Sequence, residues 1–437
     1  MTMQYTGYIC GNFTSKSSVI DLLSIDEEWQ PIVKSEEERL AGYRLYQQDY
    51  YDFCYLHGDD LNGGIRRHIL PLDKWLDMEV GAPNESHLCR VHIVSVELYQ
   101  APFNMVLFSI RVEITTTAIG DILEVMNKLR YASRYAVDST TRSFFEVAIK
   151  PILCIYDKYG VYRNAQFDPN DGAMCRMLVE HNNKFRVFQV IAVDEQGWRE
   201  GDTDKVLFEL GSMSRVGSSR IDDIFSPSDL FFRRTMDAGR VDIFSNWKGL
   251  ALNDTYTMVG YEVSKEIREY QLECIFEMFY VSQLFVKNYL VRLNNNFKTY
   301  LGDNYFKLNR KNANKLQNRY DEFECKCWFD TVTYSMLPTE IYLSMGRAMG
   351  VEREKARLYE TIMRQNMKRE KLSDQRMNRL LFFMTCLTMS SAIWDACCLL
   401  NEMYPFGDAI DSHVGFRVVT YALLFIIFVI MYVSRKR

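Results

Sequence analysis

The groups in this chain best suited to handling ions are hydroxyls and carboxylates set into its most hydrophobic stretch. Placed on a helix at about 100° per residue, Asn378, Thr385, Thr388, Ser391, Asp395 and Glu402 fall on one side, within about 140°. Phe382, Phe383, Leu387 and Trp394 occupy the other side. Several copies around an axis would turn these groups into stacked rings along a cation path. The alternative is a polar seam that holds helices together without conducting. Asp395 and Glu402 have no basic partner in the flanking apolar segments except Arg417, which favours the path.

A second set suits phosphate. "SRVGSSRIDDIFSPSDLFFRRTMDAGR" (214–240) gathers Arg215, Arg220, Arg233, Arg234 and Arg240 beside Gly217, Ser218 and Ser219. Guanidinium forks next to small hydroxyl residues match a phosphate group. Surface pairing with Asp222, Asp223, Asp229 and Asp237 is the competing reading. "GGIRRH" (63–68) offers Arg66 and Arg67 as a weaker candidate.

Other chemistries lack their signatures. The six histidines form no HExxH, and the chain has no GxxxxGK[ST], GxGxxG or GxSxG. "CKC" (325–327) and "CC" (397–398) lack a partner pair at zinc spacing, so the 11 cysteines read as small buried hydrophobes in a reducing compartment. The opening "MTMQYTGYICGNF" has no basic-then-apolar leader pattern. Residues 344–437 carry 14 Lys/Arg against 9 Asp/Glu, leaving 38 against 48 over 1–343. So acidic a body argues against direct nucleic-acid binding, which needs clustered cations.

The elements that must position these groups change character along the chain. "HLCRVHIVSVELYQ" and "FNMVLFSIRVEI" are rich in β-branched and aromatic residues and read as two strands joined by "APFN". A helical spacing follows through Ile119, Ile122, Met126 and Leu129, then "KFRVFQVIAV" (184–193) and "KVLFEL" (205–210) read as further strands. Interleaved strands and helices predict an α/β (or α+β) N-terminal cytoplasmic domain over 1–253. Long helices are expected over 254–343, then a stalk helix over 344–379. Met345, Met349, Ala356, Met363 and Met367 form a partial heptad stripe there, either an internal core or a self-association seam.

Two apolar runs close the chain. Residues 380–400 would be roughly 31 Å long as a helix and 416–433 roughly 27 Å, enough to cross a hydrocarbon core of about 30 Å. Lys368, Arg369, Lys371, Arg376 and Arg379 precede the first, and Arg435, Lys436 and Arg437 follow the second. The connecting 401–415 has none but carries Glu402, Asp408 and Asp411. The positive-inside rule then predicts two C-terminal transmembrane helices in a multi-pass protein of the cell inner membrane. Both termini, including the basic tail 434–437, would be cytoplasmic.

This order of elements resembles the CorA family of divalent-cation channels, over the whole chain as architecture and most specifically over about 345–437. The resemblance implies a homopentamer in the lipid bilayer, with the first span lining the pore. The family's Gly-Met-Asn at the end of that span is here "LLNEMYPF", so Asn401 matches the asparagine while Leu399 and Leu400 replace the other two. On this basis Asn401 joins the pore-lining set, and Asp395, Asn401 and Glu402 would meet a permeant Mg²⁺ or other divalent cation in transit. Loss of the tripeptide is similar to the CorA-like effectors of type III CRISPR systems. It implies an antiviral cation channel opened by an adenine-nucleotide messenger, with no covalent catalysis. A housekeeping Mg²⁺ transporter and a membrane-anchored binding or signalling protein are the alternatives.

Overall fold

The computed structural model describes residues 3–403 except 56–62, 82–85, 137–138, 162–165, 180–183, 195–197, 199–201, 216–226, 262–271 and 302–309, and also Ala422. The chain divides into two compact units, Met1–Leu358 and Tyr359–Arg437. The first holds β1 (Met3–Thr14), β2 (Gln30–Ile32), β3 (Arg66–Val80), β4 (His87–Ala101), β5 (Met105–Thr116), β6 (Arg186–Val193), β7 (Arg240–Phe244), β8 (Trp247–Ala251) and β9 (Thr255–Tyr261). These nine form one sheet in the order β2-β3-β4-β5-β1-β6-β9-β8-β7. Only β6 and β9 pair in parallel. The tight turn from β4 to β5 passes through Phe103 (φ 60°) and Asn104 (φ 62°), the left-handed backbone that a twisted hairpin requires.

The helices are α1 (Glu36–Gly42), α2 (Gln48–Cys54), α3 (Ile119–Leu129), α4 (Ser139–Phe144), α5 (Lys150–Tyr159), α6 (Thr203–Ser212) and α7 (Asp229–Gly239). After them come α8 (Val281–Leu301), α9 (Arg310–Cys327), α10 (Met336–Met349) and α11 (Val351–Met403), with a wide-turned π segment, Leu272–Tyr280, leading into α8. One face of the sheet is buried by Ile122 and Met126 of α3, Ile152 of α5 and Leu207 of α6, against Ile93, Ile110, Val112 and Val187. The π segment covers the other: Phe276 stacks 3.8 Å from Tyr8 of β1 and lies 5.1 Å from Phe188 of β6.

One buried cation joins these layers. Arg67 of β3 is 1% exposed. Its Nη1 pairs with Glu277 Oε2 at 2.5 Å, its Nη2 donates to the Glu277 carbonyl at 2.7 Å, and its Nε donates to the Cys54 carbonyl at 3.1 Å. The Tyr55 hydroxyl donates to the same carboxylate at 2.8 Å, and the guanidinium lies 4.1 Å from the Tyr55 ring centre. Beside it, Glu97 Oε2 accepts from the Tyr99 hydroxyl at 2.7 Å. Burial, with Glu277 as a like charge, pushes the Glu97 carboxyl up to about 7. The position assigned to phosphate binding at Arg67 is therefore structural. The neighbouring Arg66 acts on His68, whose pKa burial and that charge lower to about 4.

Several expectations need correction. Among the described residues, no helix is long and apolar enough to cross a membrane. This overturns the fold of two C-terminal transmembrane helices and the placement as a multi-pass inner-membrane protein with cytoplasmic termini. Residues 380–400 lie within α11, where Thr385, Thr388, Ser390, Ser391 and Asp395 interrupt the apolar run. The other expected span, 416–433, falls outside the described residues apart from Ala422. "KVLFEL" is helical, in α6: the Asp202 side chain accepts from the Lys205 backbone N–H at 3.1 Å and caps it. β9 lies beyond residue 253, where the expected first domain ends, and pairs with β6 and β8.

Removing Arg67 would leave Glu277 buried without its partner. Arg67→Leu is expected to cost about 3–5 kcal/mol in urea unfolding of the full chain. Glu97 gives a pH test. A carboxyl raised in the folded state holds its proton longer than in the unfolded chain, so it favours folding at low pH and loses that advantage as pH rises from about 4.5 to about 7. His68, lowered by burial, acts in the opposite sense as pH falls through about 6.5 to 4, so the comparison must be between variants. Glu97→Gln is expected to gain stability over wild type as pH rises from 5 to 8, by at most about 3 kcal/mol in the difference of unfolding free energies.

Candidate functional site

The arginine-rich stretch ends at an open cleft. The Ser228 hydroxyl accepts from the Phe231 N–H at 3.3 Å and starts α7, which runs directly into β7 at Arg240. Gly239 makes that junction possible, because a Cβ there would lie 2.6 Å from the Ala251 carbonyl oxygen of β8. Arg234 of α7 and Arg240 of β7 consequently line one cleft of about 980 Å³, together with Arg347 of α10. Phe231, half exposed, forms part of its wall.

The three arginines are engaged differently. Arg240 is forked between two carboxylates: Nη1 to Asp204 Oδ2 at 3.0 Å and Nη2 to Asp242 Oδ2 at 2.6 Å. Lys248 Nζ shares Asp204 at 3.0 Å. Arg347 pairs with Glu340 on its own helix, both largely exposed. Such a pair contributes only about 0–1 kcal/mol, so a phosphate can displace the carboxylate. Arg234 is exposed and makes no hydrogen bond or ion pair with a described residue. The cleft thus presents one unengaged guanidinium, one on a weak surface pair and one held in a carboxylate fork. The Ser344 hydroxyl, also on the lining, donates to the Ile341 carbonyl at 2.7 Å.

The other expected phosphate ligands lie elsewhere. Arg233 neighbours Arg234 on α7 and is exposed, but it does not line the cleft, as the 100° helical step dictates. The Arg215 guanidinium sits against Gly120 of α3. Arg220 falls outside the described residues. Arg347 and Lys248 were not anticipated: Arg347 stands far from the arginine stretch in sequence, and Lys248, just past it, lies off the cleft lining and pairs with Asp204.

The expected ion path lies along α11. Asn378, Thr385, Thr388, Ser391 and Asp395 are exposed, as are Phe382, Phe383, Leu387 and Trp394. The side chains of Asn401 and Glu402 are outside the described residues. Thr385 donates to the Leu381 carbonyl at 2.9 Å, Thr388 to the Thr385 carbonyl at 2.9 Å and Ser390 to the Cys386 carbonyl at 2.8 Å. These hydroxyls are satisfied by their own helix and do not require a water-filled environment. Among the described residues, no group of three or more His, Cys, Asp or Glu side chains is placed to hold a metal ion. No family model, curated protein or solved structure matches the chain.

Asp204 holds Arg240, which lines the cleft, and Lys248, which stands behind it. Asp204→Asn is expected to strengthen pyrophosphate binding several-fold by calorimetric titration. The accompanying loss of stability should stay within about 1 kcal/mol, because these pairs are partly exposed.

Proposed function

We propose that the chain is a ligand-responsive binding protein whose first unit takes a phosphate-bearing nucleotide in the α7–β7–α10 cleft. The observation that carries this reading is the unengaged Arg234 set beside Arg240 and Arg347, in a body with an excess of acidic residues. A cleft of about 980 Å³ is at the upper end for small-molecule sites and suits a nucleotide. Guanidinium forks supply charge and bidentate geometry, and Phe231 supplies an aromatic surface. The adenine-nucleotide messengers implied by the CorA-like effector resemblance are the first ligands to try. Binding alone suffices here: a ligand shifts the protein between states only through unequal affinity for them.

The test is calorimetric titration of the full chain with adenosine triphosphate (ATP). Arg234→Ala is expected to weaken binding about 10- to 100-fold, the range for a lost charged hydrogen bond. Arg233→Ala, one residue away but off the cleft, should leave affinity within about twofold. Equal losses in both variants would point to general surface charge, and absence of binding to the wild type would end the reading.

A further inference from the structure

A second concentration of positive charge adjoins the cleft and has no role in the fold described so far. Arg130 follows α3 and is 3% exposed. Its Nη2 lies 4.0 Å from Asp254 Oδ2, and its Nε has no hydrogen-bond partner among the described residues. Lys184 pairs with the same carboxylate. Arg186, at the start of β6, donates from Nη1 to the Asn253 carbonyl at 2.7 Å. The buried Tyr280 hydroxyl, which interacts electrostatically with Arg186, Asp254 and Arg130, also has no partner. On α8, Lys287 reaches Glu354 Oε1 at 3.4 Å. Burial lowers the Lys287 pKa, and although Glu354 opposes this, the like charges of Arg186 and Arg353 act with burial.

Three cations, Arg130, Lys184 and Arg186, therefore gather around one carboxylate, Asp254. Packing like charges at a partly buried site costs free energy unless an anion compensates it. Two buried donors without acceptors, Arg130 Nε and the Tyr280 hydroxyl, mark where acceptor oxygens are missing. Asn253 supplies the link: it lines the nucleotide cleft on one side and accepts from Arg186 on the other.

We infer that Arg130, Lys184 and Arg186 form a second anion subsite next to the cleft, across Asn253, so that the ligand carries at least two phosphate-bearing portions along its length. This inference rests on the nucleotide reading of the cleft. The first portion meets Arg234, and the second meets the cluster across Asn253. A mononucleotide fills one subsite and leaves the other's surplus charge uncompensated.

The full chain titrated with adenosine monophosphate and with diadenosine tetraphosphate tests this. The tetraphosphate is expected to bind at least about tenfold more tightly than the monophosphate. Arg186→Gln and, separately, Lys184→Gln should each remove most of that advantage while leaving monophosphate affinity within about twofold. Lys184 is 31% exposed in its side chain, so its variant keeps the test informative if Arg186→Gln loses stability. Arg186→Lys should recover part of the advantage. Monophosphate binding with no gain for the tetraphosphate, or a gain untouched by both Gln variants, would overturn this inference and leave the cleft reading standing. Failure of both ligands to bind the wild type would overturn both.

Discussion

The buried pair of Arg67 and Glu277 is the constraint around which the first unit is organised. Arg67 belongs to a strand and Glu277 to the π segment, 210 residues later in the chain. Their contact, with Tyr55 and the Cys54 carbonyl, fixes where the long helical region starts on the sheet. A buried guanidinium has few acceptable arrangements, because each unsatisfied donor is costly. Hydrophobic packing of Phe276 and Tyr280 on Tyr8 and Phe188 would tolerate small slides of the helix. The ion pair restricts them, and the positions of Lys287 and α10 relative to the cleft follow from it.

The candidate site shows how a chain of negative net charge makes room for an anion. Its arginines are drawn from three elements, α7, β7 and α10, and the acidic residues around them are divided unequally among them. Asp204 and Asp242 engage Arg240, Glu340 engages Arg347, and Arg234 remains available. Local arrangement, not composition, decides the sign of the potential that a ligand meets. The cluster around Asp254 extends the same logic, since its cations outnumber the carboxylates within their reach.

Parts of this were legible in the sequence for physical reasons. β4 and β5 alternate with period two, and "APFN" carries the asparagine that tolerates the left-handed turn. α3 was legible from Ile122, Met126 and Leu129 on one face. Of the arginine stretch, Arg234 and Arg240 line one cleft, while Arg233 and Arg215 do not. "KVLFEL" misled because four apolar residues in six fit a short buried strand as well as a helix, and the capping Asp202 lay just outside the run. The run 380–400 suggested a span by length and average apolarity; it lies within α11, where Thr385, Thr388 and Ser390 bond to carbonyls of their own helix. Contacts such as Arg67 with Glu277, or Arg347 with the arginine stretch, join residues with no local pattern between them.

The parallel pairing of β6 with β9 has one more implication. β6 lies next to the central strand and β9 follows it, and everything between them in the chain, from α6 through α7 and β7 to β8, is a single excursion that forms one end of the sheet. Arg234, Arg240 and Lys248 all lie within that excursion, whereas β1, paired along its length with β5 and β6, lies outside it. Substitutions at Arg234 and Arg240 can therefore change the cleft from within one contiguous stretch without altering the register of β1 against β5 and β6, while Arg347 contributes from outside it.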